Sequence, residues 1–522
     1  MRSKHSLAAV FFLVAVTVLT RLPLFWTSFL DVDEVLFALF TKIWQMGGIP
    51  YVACVETKAM GVYLFYLFAS WLSGSLPHVN MTAVHFLSVI WTLLTAWSIY
   101  RLGTRLFSAR LSTLAALFFV IFTTTYIPKI VATNIEVVLL LPLCLSVLSL
   151  LRPPSLLQYR HSFWAGLMLS AAILCKYQSG ILLPAFLIYY WLILRRSPDW
   201  SRKAAFFHTL FLSLAMLPLP IFMVAYLYKV GGLEGFFFWN FKGNAFYIQS
   251  GADSIKWSAA LLWRVVPFVA ATGLLWFLAG ERFIHTLKRW RIKSIDSFSQ
   301  EALIWVWFFL SFIPVAIGRR FYPHYFLLLL PSLSLLAAGA FENWTVTRWR
   351  RWRVVVVLAI LAPTIGFTTA RYLSGSVLAM ISSADDLDLF KPYAGYLKTN
   401  SQPEDRILVW GFAPSVYWEA ERLPATRFLT SGYLSGKVFG TANYKGEEEA
   451  DSSDPVIMKE AWDLFLEDLQ KHPPTLIMDM SPTGLDDYTD YPIERYPRLM
   501  EFISQHYVKE APFQKATVFR IR

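Results

Sequence analysis

The sequence predicts an α-helical polytopic membrane protein with about 11 transmembrane helices, followed by a C-terminal extracytoplasmic α/β domain. Of the 522 residues, 56% are hydrophobic and only 16% are charged. Apolar runs close to the roughly 20 residues that a bilayer crossing requires recur through most of the chain and stop before its last third. Lys and Arg are in large excess over residues 1–371, whereas Asp and Glu are in excess over residues 372–522.

Basic clusters between the predicted spans define an orientation. The candidate spans are residues 7–26, 82–100, 111–128, 135–151, 162–176, 178–194, 204–226, 257–280, 301–318, 325–341 and 354–372. The first run lacks the small residues of a signal-peptide cleavage site, so we interpret it as a retained helix. Basic clusters follow every second helix, which predicts a cytoplasmic N-terminus. An odd number of crossings then places the C-terminal domain outside, and the predicted domains are residues 1–372 and 373–522.

Residues 27–80 are predicted to form one long loop on the outer side, called the first loop below. Its segment 61–74 is apolar but short for a span, and a crossing there would turn the later basic clusters outward. The positive-inside rule therefore favours a segment that lies along, or dips into, the outer interface. A loop of this length with helices of its own is typical of a functional loop. A second outer segment, residues 228–256, fits either a cover over a site or a plain surface loop.

Composition and cysteine spacing exclude several classes. The formal net charge is +12, but the positive charge sits in short loops between apolar runs, so we expect a membrane orientation signal and no nucleic-acid partner. Cys54, Cys144 and Cys175 show neither paired nor metal-ligand spacing. We therefore expect no disulfide framework and no zinc site.

The acidic last part of the chain has the pattern of alternating strands and helices. Asp405–Gly411 reads as a buried strand that ends in Gly, and Pro414–Glu421 as a turn and a helix. Glu460–Lys471 has helical spacing, and Thr475–Asp479 follows two prolines as another strand. This alternation predicts a small α/β domain.

Three carboxylates, Asp31, Asp33 and Glu34, open the first loop directly after the first predicted helix. Acids at this point fit the N-terminus of a helix, where they cap backbone N–H groups and complement the helix dipole. They also fit a catalytic role, because a carboxylate within hydrogen-bond reach of a reacting group can act as a general base. Both interpretations stay open on these residues alone.

The order of motifs in the first loop resembles that of the GT-C membrane glycosyltransferases. The likeness is to the branch of protein O-mannosyltransferases and lipid A aminoarabinose transferases. The matching residues are Asp33-Glu34, Phe37-Ala38, Gly47–Tyr51 and Lys58. Ala59-Met60 departs from the pattern, because that family usually has Pro after the Lys.

Further matches extend this resemblance along the chain. Thr133–Glu136 looks like the family's polar turn before a span, and Lys176 sits where the family has a Lys between two spans. Arg319–Tyr325 resembles a late basic and aromatic outer loop. The stretches 405–428 and 473–482 look like the extracytoplasmic domain of bacterial members.

The resemblance implies an inverting glycosyltransferase with a sugar donor linked to a polyprenyl phosphate. The acceptor would be a lipid, a glycan or a protein, and the enzyme would act in the plasma (inner) membrane among its lipids. Asp33 is the candidate base, with Glu34 or Asp31 in reserve. Cations and donors would stabilise the leaving phosphate, and the candidates are Lys58, Lys176, Arg319, Arg320 and Tyr325. Two such cations need no metal, although a divalent ion is compatible with the acids.

Each remaining candidate also has a structural interpretation. Lys176 fits a side chain that snorkels to the interface, and Arg319 and Arg320 fit contacts with lipid phosphates. Glu136 fits a helix N-terminus, and His324 fits an ordinary loop residue as well as a ligand or phosphate donor. The alternative functions are a transporter or flippase and a non-catalytic receptor or assembly subunit. A transporter typically has two related halves with mid-membrane binding groups, and the sequence has no such repeat.

Overall fold

A computed structural model of the chain describes residues 2–124, 131–151, 159–196, 200–246, 248, 261–290, 295–318, 320–343, 385–437 and 458–522. The helices of the membrane part are α1 (Arg2–Arg21), α2 (Val32–Gln45), α3 (Gly61–Leu72), α4 (Met81–Leu106), α5 (Ala109–Phe122), α6 (Ile135–Leu150), α7 (Arg160–Cys175), α8 (Leu182–Ile188), α9 (Arg202–Ala215), α10 (Pro218–Val230), α11 (Leu233–Phe237), α12 (Val266–Ala271), α13 (Gly273–Trp290), α14 (Ile295–Leu310), α15 (Phe312–Ala316) and α16 (Leu330–Ala340).

Helix α6 lies at the centre of this bundle. It is apolar on every side and nearly all of its residues are buried, as expected of a helix that is enclosed by others. It packs against α7 and α4, and α16 packs against α13 and α5. Apolar side chains on the outer surface of the bundle stay exposed, for example Phe222 and Trp263 at 73% and 74%. An apolar surface of this kind is suited to contact with lipid, because lipid tails are as apolar as these side chains.

Within the described residues, two helices are long and apolar enough to cross a membrane, namely Met81–Leu106 and the continuous stretch Arg202–Val230. The pair Leu261–Ala271 and Gly273–Lys288, which bends by 78°, would make a third if it forms one span. Several shorter apolar helices coincide with predicted spans. The helical interpretation is therefore confirmed, whereas the count of about 11 crossings stays a prediction. The span predicted at 354–372 and the boundary at 372/373 lie outside the described residues.

The first loop contains two helices, α2 and α3. Helix α2 begins after Asp31, whose extended backbone and side-chain oxygen cap the backbone N–H of Asp33 at 3.4 Å. Helix α3 has 12 residues, so it is about 18 Å long and shorter than the hydrocarbon core of a bilayer. Its exposed residues Leu64, Phe68 and Trp71 share one face, which favours the predicted position along the interface.

The C-terminal domain is built on a five-stranded sheet of order β2-β1-β3-β5-β4. Its strands are β1 (Arg406–Trp410), β2 (Leu423–Pro424), β3 (Leu476–Asp479), β4 (Tyr507–Lys509) and β5 (Thr517–Ile521), and its helices are α17 (Asp385–Asp388), α18 (Lys391–Thr399), α19 (Ser415–Glu419), α20 (Gly432–Ser435), α21 (Lys459–Lys471) and α22 (Pro497–His506). Strands β1, β2 and β3 are parallel, and β5 and β4 continue the sheet in antiparallel pairs. The predicted strands and helices of this domain are confirmed.

The C-terminal domain rests on the first loop and on residues after α11. The backbone N–H of Val55 donates to the carbonyl oxygen of Arg427 at 2.8 Å. Trp418 packs edge-on against Phe29 with ring centroids 5.2 Å apart. Because a backbone hydrogen bond and ring packing both join it to the first loop, the C-terminal domain covers that loop.

Candidate active site

A cavity of about 360 Å³ lies between the first loop and the C-terminal domain. The first loop contributes Asp31, Asp33, Glu56 and Lys58. Glu136 comes from the start of α6, and Lys176 follows the end of α7. A later loop contributes His324 and Tyr325, and the C-terminal domain contributes Phe412 and Tyr433. Seven of the site candidates predicted from the sequence therefore line one cavity, although they are spread over almost 300 positions of sequence. They are Asp31, Asp33, Lys58, Glu136, Lys176, His324 and Tyr325.

Asp33 lies in the first turn of α2 and keeps about a quarter of its side chain exposed, at 25%. One carboxylate oxygen is 4.0 Å from the Lys58 ammonium nitrogen, and the other is 3.9 Å from Nε2 of His324. Asp31 receives a hydrogen bond of 3.3 Å from the Asn134 amide. Asp33 is thus a carboxylate in a cavity between an ammonium group and an imidazole ring, which is a suitable position for a general base.

Glu34, predicted as a second catalytic acid, does not line the cavity. Its side chain is completely buried and accepts hydrogen bonds from the backbone N–H groups of Leu30 at 2.7 Å and Thr133 at 2.5 Å. Nε2 of His85 lies 3.2 Å from Oε1 of Glu34, the same oxygen that accepts from Thr133. The placement of Glu34 among the reacting groups is therefore corrected: the side chain joins the first loop to α4 and to the turn before α6.

Lys58 places an ammonium group beside Asp33. Its ammonium nitrogen is 3.1 Å from Glu56, which is mostly buried and also accepts a hydrogen bond from the backbone N–H of Thr57 at 2.8 Å. Burial lowers the pKa of Lys58, but the carboxylates of Glu56 and Asp33 outweigh burial and hold this pKa above its usual range. Lys58 is therefore positively charged at neutral pH and faces the cavity.

Lys176 follows α7 and pairs with Glu136, whose carboxylate is 2.5 Å from the ammonium nitrogen. The same nitrogen lies 3.6 Å from the centroid of the Tyr325 ring, a cation–π distance. Glu136 is buried at the start of α6, where the helix dipole also favours a negative charge. Lys176, Glu136 and Tyr325 thus form one cluster in the cavity wall. Glu136 both stabilises the N-terminus of α6, as the structural interpretation expected, and pairs with Lys176.

Arg320, predicted to contact the donor phosphate, is 1% exposed and is not among the residues that line the cavity. Its Nη1 donates to the Tyr322 hydroxyl at 3.3 Å, and its carbonyl oxygen accepts a hydrogen bond from Arg264. Arg320 therefore stabilises the loop that carries Tyr322 and His324. In this structure its side chain is not positioned to contact a phosphate in the cavity. Arg319 lies outside the described residues.

Asp31, Asp33 and His324 form a group that could hold a metal ion. One ligand atom of each lies within 4.8 Å of the others. Carboxylate oxygens and an imidazole nitrogen are ligands for several divalent ions. The Lys58 ammonium group lies 4.0 Å from Asp33 and would repel such an ion. A metal ion and Lys58 would therefore compete for the same carboxylate.

Sequence reasoning missed Glu56 and the contribution of the C-terminal domain. Glu56 stands two residues before Lys58, and a carboxylate so close to a functional Lys was the available signal. Phe412 and Tyr433 had no signal, because aromatic residues are common in this chain and only the packing of the domain brings these two to the cavity.

Residues 63–222 match the family described as dolichyl-phosphate-mannose-protein mannosyltransferase. The structure of ArnT from Cupriavidus metallidurans in the apo state is similar to the chain, with a TM-score of 0.60 and 14% identity over 99% of this chain and 98% of that one. The chain has the GT-C glycosyltransferase fold. The oligosaccharyltransferase AglB from Archaeoglobus fulgidus shares this GT-C fold at a TM-score of 0.57 and 13% identity, over 100% of this chain and 74% of that one.

A comparison with curated proteins found no match. The resemblance to GT-C enzymes that use polyprenyl phosphates is nevertheless confirmed by the family segment and by the fold together. At these identities the solved structures establish the GT-C fold, and the activity of this chain is argued from its own cavity.

Proposed function

We propose that the chain is an integral membrane glycosyltransferase that moves a sugar from a polyprenyl-phosphate donor to an envelope acceptor. The observation that carries the proposal is the cavity that combines Asp33 with the Lys58 cation 4.0 Å away, under the C-terminal domain. One similar structure is described as ArnT bound to undecaprenyl phosphate, and another as AglB with a dolichol phosphate and an inhibitory peptide. These descriptions support a lipid-phosphate donor for a chain of the same fold.

The chemistry that fits this cavity is an inverting displacement. The acceptor hydroxyl oxygen attacks the anomeric carbon while its proton passes to the Asp33 carboxylate. The bond between the anomeric carbon and the phosphate oxygen breaks, and its electron pair stays on the lipid phosphate. Attack from the face opposite to the leaving group inverts the anomeric configuration. Asp33 supplies the base because its carboxylate is partly exposed in the cavity, whereas that of Glu34 is buried and hydrogen-bonded.

Lys58 is the proposed cation for the leaving phosphate. It is held by Glu56, remains protonated at neutral pH and is 29% exposed. A fixed ammonium group beside the leaving oxygen stabilises the charge that develops on that oxygen. Lys176 and Tyr325 would add a second donor pair once the phosphate competes with Glu136 for the Lys176 ammonium.

We place the reaction at the outer face of the membrane, with the N-terminus in the cytoplasm. The alternation of basic clusters in the sequence supports this orientation. The cavity is formed by the first loop and the C-terminal domain, which that orientation puts on the outer side together.

The first experiment compares wild type with Asp33→Asn in membranes supplied with a radiolabelled polyprenyl-phosphate sugar. Loss of the base predicts a fall in transfer of about a hundredfold or more at equal expression. Asp31→Asn is the matched control, because Asp31 caps α2 next to the same cavity, and it should lose less. Undiminished transfer by Asp33→Asn removes this base, and no transfer by wild type from any such donor contradicts the enzyme.

A further inference from the structure

The cavity has two chemically different walls. The membrane part supplies the charged side chains described above, including Asp33, Lys58 and Glu136. The C-terminal domain supplies Phe412, Phe428, Leu429, Thr430, Gly432 and Tyr433, and none of these described residues carries a charge. Reacting groups thus face a neutral wall that contains aromatic rings.

Building on the proposed function, we propose that Phe412 and Tyr433 form an aromatic platform on which a pyranose ring of the acceptor lies. The acceptor is then a carbohydrate, free or on a glycolipid, and one of its ring hydroxyls points to Asp33. Both side chains are only partly buried, so their rings keep surface in the cavity. A sugar ring presents C–H groups on its faces, which the electron-rich face of an aromatic ring attracts.

The platform is fixed in place by the residues around it. Gly411 follows β1 directly and has φ +135°. An added Cβ there would lie 3.2 Å from Cβ of Met480, so the turn that places Phe412 at the cavity requires Gly. The backbone N–H of Ser431 donates to the Gly411 carbonyl oxygen at 3.0 Å, and the Ser431 hydroxyl accepts from the Gly411 N–H at 3.0 Å. The two aromatic positions are thereby tied to one another.

A second set of contacts fixes the segment 427–433, called the strap. Arg427 makes two hydrogen bonds to Asp468, from Nε at 2.8 Å and from Nη2 at 2.7 Å. Trp239 of the membrane part packs against Tyr433, with ring centroids 5.5 Å apart. Tyr433 lines the same cavity as Lys58. A rigid aromatic surface beside the catalytic groups loses little entropy when it binds a ring.

The backbone of the strap favours a carbohydrate over an extended peptide. A peptide that binds as an added strand needs free backbone donors and acceptors. The N–H and carbonyl groups of Arg427 are used by Asp468 and Val55, and the carbonyl oxygen of Tyr433 accepts from the N–H of Met458. At both of its ends the strap therefore has these backbone groups already paired and presents side chains to the cavity.

The binding test uses saturation-transfer NMR on the purified full chain in lipid nanodiscs. The probes are methyl pyranosides of several configurations and a Ser/Thr peptide without sugar. We expect saturation of pyranoside ring protons by wild type and by Tyr433→Phe, and loss of this signal in Tyr433→Ala and in Phe412→Ala. Phe502→Ala is the matched control, because Phe502 is a half-buried aromatic of the same domain that does not line the cavity.

The transfer test measures kinetics with the same pyranosides as acceptors. Loss of one platform ring should raise the acceptor KM about fivefold to tenfold, because an aromatic contact of this type contributes about 1 kcal/mol. Pyranoside binding without transfer from any polyprenyl-phosphate sugar contradicts the proposed function and supports the platform. Transfer to the peptide alone, or unchanged KM values in both alanine variants, overturns the platform and leaves the glycosyltransferase standing.

Discussion

Glu34 and Asp33 are adjacent in sequence and have different positions in the structure. The Glu34 side chain is buried and joins Leu30 and Thr133 through their backbone N–H groups, with His85 beside it. Burial raises the pKa of Glu34, but the charge of His85 and these hydrogen bonds outweigh burial and hold this pKa below its usual range. The ionised carboxylate is thus part of the structure that positions the first loop.

Glu34→Gln should lower stability, because the amide cannot replace the charge and turns a donor toward backbone N–H groups. We expect a loss of about 1–3 kcal/mol in the free energy of unfolding. Thermal unfolding in detergent measures it, and transfer per folded molecule should fall far less than in Asp33→Asn. A Glu34→Gln protein that is as stable as wild type but inactive would instead return Glu34 to the chemistry.

Lys58 allows donor binding to be separated from structural pairing. Lys58→Gln leaves the mostly buried Glu56 without its cation, so it should lower both stability and affinity for the donor. The double variant Lys58→Gln/Glu56→Gln removes both charges and should recover stability. If Lys58 binds the phosphate, the donor KM of the double variant stays raised by about tenfold or more. Recovery of the donor KM together with stability would limit Lys58 to a structural role.

At the scale of elements, the close approach of α3 to the end of α7 positions the first loop beside Lys176. A Cβ added at Gly61 would lie 2.5 Å from Sγ of Cys175 and 2.7 Å from the carbonyl oxygen of Leu174. Real contacts of this kind are longer, so α3 can reach this position only with Gly at its first residue. The cavity depends on this contact, because Lys58 precedes α3 and Lys176 follows α7.

Gly61→Ala should therefore move α3 away from α7 and lower the free energy of unfolding by about 1–3 kcal/mol. Transfer should fall with it, since Lys58 and Lys176 would separate. Gly280→Ala is the matched control: a Cβ there meets nothing within 4 Å, and Ala within α13 should be neutral or slightly stabilising. Equal unfolding temperatures for the two variants would contradict the close contact at Gly61.

At the scale of the whole molecule, the proposed orientation puts the C-terminal end of α13 and the C-terminal domain at opposite faces of the membrane. Cys54, Cys144 and Cys175 are all buried, so cysteines introduced at exposed positions can be labelled against a low background. Lys288 near the end of α13 and Glu467 in α21 are exposed.

A membrane-impermeant maleimide applied to intact cells should label Glu467→Cys and should not reach Lys288→Cys until the membrane is permeabilised. The physical reason is the positive-inside rule, which assigns the basic cluster around residues 282–293 to the cytoplasm. Labelling of Lys288→Cys from outside would reverse the topology and move the cavity to the inner face.

The sequence by itself determined the helical membrane part, the strands of the C-terminal domain and the identity of Asp33 and Lys58 as site candidates. These predictions depend on local properties: apolar run length, the strand pattern at Arg406–Trp410, and motif order within the first loop. Local patterns determine secondary structure when each segment meets a uniform environment, and lipid provides one for the helices.

Only the tertiary structure decided which carboxylate faces the cavity and which side chains of the C-terminal domain line it. Successive residues of a helix point about 100° apart, so Asp33 and Glu34 point in different directions. The packing of Leu30, His85 and Thr133 around Glu34 holds its carboxylate away from the cavity. Packing also buried Arg320 and brought Tyr433 to the cavity that Lys58 lines. Such contacts depend on how distant segments pack, which sequence spacing does not record.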